Sequence, residues 1–259
     1  MRVSSSEGPH LNPLPEGEEE RRLLTLLFTD NQIFELLMDR TKLISELHSS
    51  RLVAVVRSKS ADEALALARA AAEGGIKFVE ITFSVPGALD VIKELAGRKD
   101  LHVGAGTVLA PQQAERAIGV GAEFIVSPSL ELNLIGICHM VNVACFPGAA
   151  TPTEIIAAQR ARADLVKIFP ADLVGGPYFI RQMQGPFPDV RFMVSGGVSL
   201  QNVTDYVQLG VTGICLGSAY LETFLVEKGK KHFIKEMLRF VKLVAKAQAK
   251  KSVSRKSKT

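Results

Sequence analysis

From Arg51 onward, short apolar runs rich in β-branched residues alternate with amphipathic or alanine-rich stretches, and this alternation limits the fold more than any other feature. Leu52–Val56, Phe78–Thr82, Leu101–Gly106, Phe124–Ser127, Asn142–Phe146, Leu165–Phe169, Arg191–Val194 and Gly213–Leu216 read as eight strands. A capping box at Ser60-Ala-Asp-Glu63 opens a helix that stops at Gly74-Gly75. Further helices are predicted from Pro86 to Leu95, from Pro111 to near Gly121, and over 132–139, 151–162, 177–184, 200–209 and 231–249. Strict alternation requires parallel strands with helical crossovers. Eight units, with no glycine-rich dinucleotide fingerprint after the first strand, favour a closed, compact (β/α)8 TIM barrel over an open doubly wound sheet. Functional residues should then sit at the C-terminal ends of the strands.

The composition supplies such a core, since 47% of the 259 residues are hydrophobic. No apolar run approaches the roughly 20 residues that span a bilayer. Cys138, Cys145 and Cys215 all lie in apolar stretches and are expected to be reduced core thiols, which makes a reducing, cytoplasmic setting the default. The N-terminal segment has neither the pattern of a secretory signal nor the acid-poor character of a transit peptide, because it carries Glu7, Glu16 and Glu18 to Glu20.

Three parts follow from this text: an appended segment at 1–40, a barrel at 41–227, and a basic helix with a disordered tail at 228–259. Within the appended segment Leu23 to Leu37 is apolar enough for one helix, and Thr41 to Leu47 suits another. Residues 228–259 hold twelve Lys or Arg against the single acid Glu236, while the rest of the chain is net acidic. A basic tail can attract nucleic acid or an anionic membrane. The reading adopted is a solvated helix face, with neither membrane nor nucleic acid as a partner.

Two charged residues interrupt the apolar strands. Alternation puts Lys167 on the face of Leu165 and Phe169, and Glu80 on the face of Phe78 and Thr82. Both strands are even-numbered, so the two can share one interior layer, where charge is costly unless paired. Burial disfavours an ammonium ion, and a neutral amine attacks a carbonyl to form an imine. A neighbouring carboxylate can move the protons that imine formation and carbon–carbon cleavage need. A buried ion pair without chemistry fits the same positions. Ser195-Gly196-Gly197 ends strand seven and Gly217-Ser218 ends strand eight, where such barrels commonly bind phosphate through open backbone N–H groups. The five histidines (His10, His48, His102, His139 and His232) include no close pair, so no metal site and no cofactor are expected.

Several motifs, in order, resemble the 2-keto-3-deoxy-6-phosphogluconate (KDPG) and 4-hydroxy-2-oxoglutarate (KHG) aldolases. They are Val79-Glu-Ile-Thr-Phe83, Gly104-Ala-Gly-Thr-Val108, Glu123-Phe-Ile-Val-Ser-Pro128, Phe146-Pro-Gly148 with Thr151-Pro-Thr-Glu154, Val166-Lys-Ile-Phe-Pro170 and Ser195-Gly-Gly-Val198. The resemblance covers about 41–225. It implies a class I aldolase, usually a homotrimer, that releases pyruvate from a phosphorylated 2-oxo acid. By position, Lys167 would be the Schiff-base lysine and Glu80 the general acid/base. Thr107, Pro128 and Phe169 would line the pyruvyl pocket, and Ser195, Gly196, Gly197 and Ser218 would hold the phosphate. One departure stands out: many members carry a carboxylate-gripping arginine where this chain has Ser84. Arg57, at the end of strand one, is the expected substitute, with a rim salt bridge as the bland alternative. Two other functions remain open at this point, a sugar-phosphate isomerase or epimerase on the same barrel and a non-catalytic trimeric scaffold with a nucleic-acid-binding tail.

Overall fold

The structure, a computed structural model, describes residues 30–217, 221 and 229–256. Helix α1 (Asp30–Ser50) leads into β1 (Leu52–Val56), α2 (Ala61–Glu73), β2 (Phe78–Thr82), α3 (Ala88–Leu95), β3 (His102–Gly106) and α4 (Pro111–Gly119). The chain continues through β4 (Phe124–Val126), α5 (Leu132–Met140), β5 (Ala144–Phe146), β6 (Gly148–Ala149), α6 (Pro152–Arg160) and β7 (Val166–Ile168). Last come α7 (Gly176–Met183), β8 (Phe192–Val194), α8 (Val203–Leu209), β9 (Gly213–Leu216) and α9 (Lys230–Lys256).

All pairings are parallel, in the order β5-β4-β3-β2-β1-β9-β8-β7-β6. The two outermost segments, β5 and β6, are consecutive in the chain and separated only by Pro147. Proline has no N–H to give to a ladder, so one barrel strand is read as two. Its first half pairs with β4 and its second with β7. The barrel therefore closes through this strand, and the nine segments fill eight strand positions, the (β/α)8 barrel expected from the alternation.

Two apolar shells hold it. The outer one joins the sheet to the helices; the inner one fills the lumen with Phe78, Phe124, Phe146, Leu165 and Met193. Phe124 needs a neighbour without a side chain, because a Cβ on Gly104 would lie 2.3 Å from its ring. Leu43, Ile44 and Leu47 of α1 belong to the inner shell and plug the N-terminal mouth.

Two features differ from the sequence reading. The segments predicted as two helices within 23–47 are, from Asp30 on, one continuous helix, since neither glycine nor proline interrupts it; residues 23–29 lie outside the described residues. The boundary expected at 40/41 thus falls inside α1. The basic C-terminal helix, predicted over 231–249 in a segment set apart from the barrel, runs to Lys256 and packs on α2 and α8 through Phe233, Met237, Phe240, Val244 and Ala247, while the last three residues of the expected disordered tail, 257–259, lie outside the described residues. That spacing is one helical stripe, and Gln208 Nε2 donates to the Ala247 carbonyl at 3.1 Å. Physically, α9 completes the outer ring of helices.

Candidate active site

Glu80 on β2 and Lys167 on β7 stand four strand positions apart, so their side chains approach each other across the lumen. Lys167 Nζ lies 3.4 and 3.5 Å from the two Glu80 carboxylate oxygens. Lys167 is 5% and Glu80 1% exposed. The pair sits directly above the aromatic plug, because Phe78 precedes Glu80 by two residues on the same face. Room for the carboxylate comes from Gly106: a Cβ there would lie 2.0 Å from Glu80 Oε1. Beneath the pair, burial pushes the fully buried Cys215 thiol up to about 12, partly offset by Lys167 and by a hydrogen bond with Ser195 and reinforced by Glu80. It therefore stays protonated at neutral pH and is no nucleophile.

Above the pair a cavity of about 590 Å³ opens at the C-terminal strand ends. Its lining includes Lys167, Glu80, Arg57, Thr107, Pro128, Phe169, Ser195, Gly196, Gly197 and Gly217, so ten of the eleven residues nominated from sequence meet at one place. The eleventh, Ser218, lies outside the described residues. Val55, Thr82, Val198 and Ser199 also line the cavity without having been nominated. Thr82 was within reach of sequence logic, because alternation puts it two residues above Glu80 on the same face. Ser84, at the departure position, is exposed and hydrogen-bonds Thr82 Oγ1 at 2.8 Å.

The local geometry gives each wall a distinct chemistry. Arg57 follows β1, is exposed, donates to Thr107 Oγ1 at 3.5 Å, and has no ion-pair partner among the described residues. That leaves its guanidinium free for an anion. Thr107 holds φ at +56°, a strained value for a β-branched residue, at the turn where β3 meets the cavity. Gly196 and Gly197 have φ of +107° and +64°. Side chains there would collide with Asp172, and neither N–H has an acceptor among the described residues. Open N–H groups on such a turn form a nest for an anion. The ends of β1 and β8, two strand positions apart, thus offer an arginine and an anion nest above the buried amine and carboxylate. Among the described residues no group of His, Cys, Asp and Glu could hold a metal ion, and His102 is engaged elsewhere, between Glu46 and Glu123 at the N-terminal face.

The family model for KDPG and KHG aldolase matches residues 43–237. This chain belongs to that family. The 2-dehydro-3-deoxy-phosphogluconate aldolase of Haemophilus influenzae is 33% identical over 201 residues, covering 77% of this chain and 95% of the relative. The crystal structure of the Zymomonas mobilis KDPG aldolase with 3-phosphoglycerate superposes with a TM-score of 0.68 at 26% identity, covering 76% of this chain and 94% of that one. The Legionella pneumophila KDPG aldolase, solved with pyruvate captured at low pH as a covalent carbinolamine, has a TM-score of 0.64 at 27% identity and covers 78% and 95% of the two chains. The matched span includes all three plug residues of α1 and the first two turns of α9. No described helix is long and apolar enough to cross a membrane.

Proposed function

We propose that the chain is a class I aldolase that cleaves KDPG to pyruvate and glyceraldehyde 3-phosphate, and KHG to pyruvate and glyoxylate. The observation that carries this reading is the Lys167–Glu80 pair, 3.4 Å apart at the floor of an open cavity. Transfer of the ammonium proton to Glu80 leaves a neutral amine beside an acid. Lys167 Nζ then attacks the C2 carbonyl, and Glu80 protonates the departing hydroxyl so that water leaves and an iminium ion forms. Glu80, now a carboxylate, takes the C4 hydroxyl proton as the C3–C4 bond breaks. The bonding electrons flow to the iminium nitrogen, the aldehyde departs, and an enamine remains. Glu80 returns its proton to C3, and water hydrolyses the resulting imine to pyruvate and free Lys167.

Arg57 would grip the C1 carboxylate in place of the arginine missing at Ser84, with Thr107 beside it. Pro128 and Phe169 would pack on the pyruvyl methylene. Ser195, Gly196, Gly197, Gly217 and Ser218 would hold the phosphate. A carbinolamine formed with pyruvate in the Legionella relative, and the phosphorylated ligand of the Zymomonas relative, support this division of labour.

The catalytic unit is proposed to be the barrel with the plug of α1 and the helix α9, as a homotrimer in the cytoplasm. Exposed Leu109, Leu132, Leu173 and Tyr178 are apolar surface that a subunit interface would cover. The free thiols suit a reducing compartment. The test is a side-by-side cleavage assay. Pyruvate released from KDPG together with glyceraldehyde 3-phosphate supports the reading; an enzyme that isomerises or epimerises sugar phosphates without releasing pyruvate overturns it.

A further inference from the structure

The packing of α9 orders its charge in a way the sequence alone left as a general excess. Its apolar stripe is spent on α2 and α8. On the side away from that stripe stand Lys231, Lys235, Arg239, Lys242, Lys246 and Lys250, all exposed. At 3.6 residues per turn these six lie within an arc of about 100° and along about 28 Å of helix. The only acid on α9 is Glu236, which takes Arg239 at 2.8 Å. None of the five lysines has an ion-pair partner among the described residues. Further basic residues (Arg255, Lys256 and Lys258) follow in the sequence.

We propose that this row docks the barrel, side-on, against an anionic lipid surface. Charge complementarity identifies a polyanion, and the residue types select among polyanions. The row is five lysines and one arginine, and that arginine is already engaged. Nucleic-acid faces gain from arginine forks, from stacked aromatics and from amide side chains at base edges; this row has none of these to spare. Lysines act as hydrated point charges, which suits a diffuse field from many headgroups. The row runs along one side of α9, and Leu238 beside it is 38% exposed. Because the apolar face of α9 is occupied by the barrel, the helix cannot turn over and insert as a free amphipathic helix does. Binding is therefore electrostatic, reversible and sensitive to salt.

The test is co-sedimentation of the full-length protein with vesicles. Each lysine near such a surface contributes about five-fold in binding, so Lys235→Gln with Lys242→Gln and Lys246→Gln should weaken it roughly 100-fold. Three results are expected: binding to phosphatidylcholine vesicles containing about 30% phosphatidylserine, loss of that binding in the triple variant, and its loss at about 1 M salt, where the screening length is about 3 Å. Replacing the same three lysines by arginine should restore binding, and aldol cleavage should be equal in all variants, which certifies the fold. Failure to bind the anionic vesicles, equal binding to pure phosphatidylcholine, or indifference to the triple substitution would overturn the proposal. Tighter binding to duplex or single-stranded nucleic acid than to vesicles at the same salt would also overturn it, and would reassign the row.

Discussion

Removing one member of the Lys167–Glu80 pair should cost more than removing both. At 3.4 Å and an effective dielectric near 20, the pair's attraction is about 5 kcal/mol before either group's desolvation is charged against it. Lys167→Met leaves a carboxylate only 1% exposed with no cation facing it, and Glu80→Gln leaves the ammonium facing a neutral amide. Each single change should destabilise the barrel by roughly 3–5 kcal/mol. The double substitution keeps the volume, removes both charges and should cost less than either single change, so the coupling should exceed roughly 3 kcal/mol. Urea unfolding of the four proteins at neutral pH, followed by circular dichroism, measures the cycle. Additive single and double costs would refute the idea that the two charges offset one another in the lumen. The mechanism would then lose the proton transfer on which it begins.

Arg57→Ala should raise KM for both KDPG and KHG by roughly 10–100-fold, the value of hydrogen bonds to a charged group; unchanged constants in steady-state assays would make Arg57 structural. His102 lies 2.7 Å from Glu123 and 2.8 Å from Glu46, and the bond to Glu123, then that to Glu46, holds its imidazolium above the usual histidine range against the opposing effect of burial. Its contribution to stability is complete below about pH 6.5, the unfolded value, and is lost as pH rises through the raised folded value. Thermal unfolding of the native protein should therefore drop more steeply than that of His102→Gln as pH rises above 6.5; parallel curves would count against it. Phe240→Ala should destabilise the barrel by about 3–5 kcal/mol in chemical denaturation. A near-neutral effect would restore α9 to an appendage.

The fold was legible because parallel strands buried on both faces are written as short apolar runs, and Lys167 and Glu80 are conspicuous as charges inside two of them. The remaining nominations came from motif order, and turn glycines such as Gly196 and Gly197 carried their own signal through the conformations they permit. What stayed hidden was tertiary. Nothing in Leu43, Ile44 and Leu47 says that they enter a barrel mouth, because an apolar helix stripe names no partner. The abundance of lysine in α9 likewise concealed the stripe from Phe233 to Ala247 that makes it part of the barrel. The split of one strand at Pro147 shifts boundaries without changing topology, since the chain passes straight from one half to the other. Thr82 escaped nomination because a threonine in a strand is equally a β-former and a cavity wall.

The most direct test of the mechanism is reductive trapping. The protein is incubated with pyruvate and borohydride, digested, and the modified residue located by mass spectrometry. The mechanism predicts a single pyruvate-derived adduct on the peptide containing Lys167. The adduct should form more slowly in Glu80→Gln and be absent from the double variant, in which Lys167→Met removes the amine. An adduct on any other lysine, or full activity without any adduct, would contradict it.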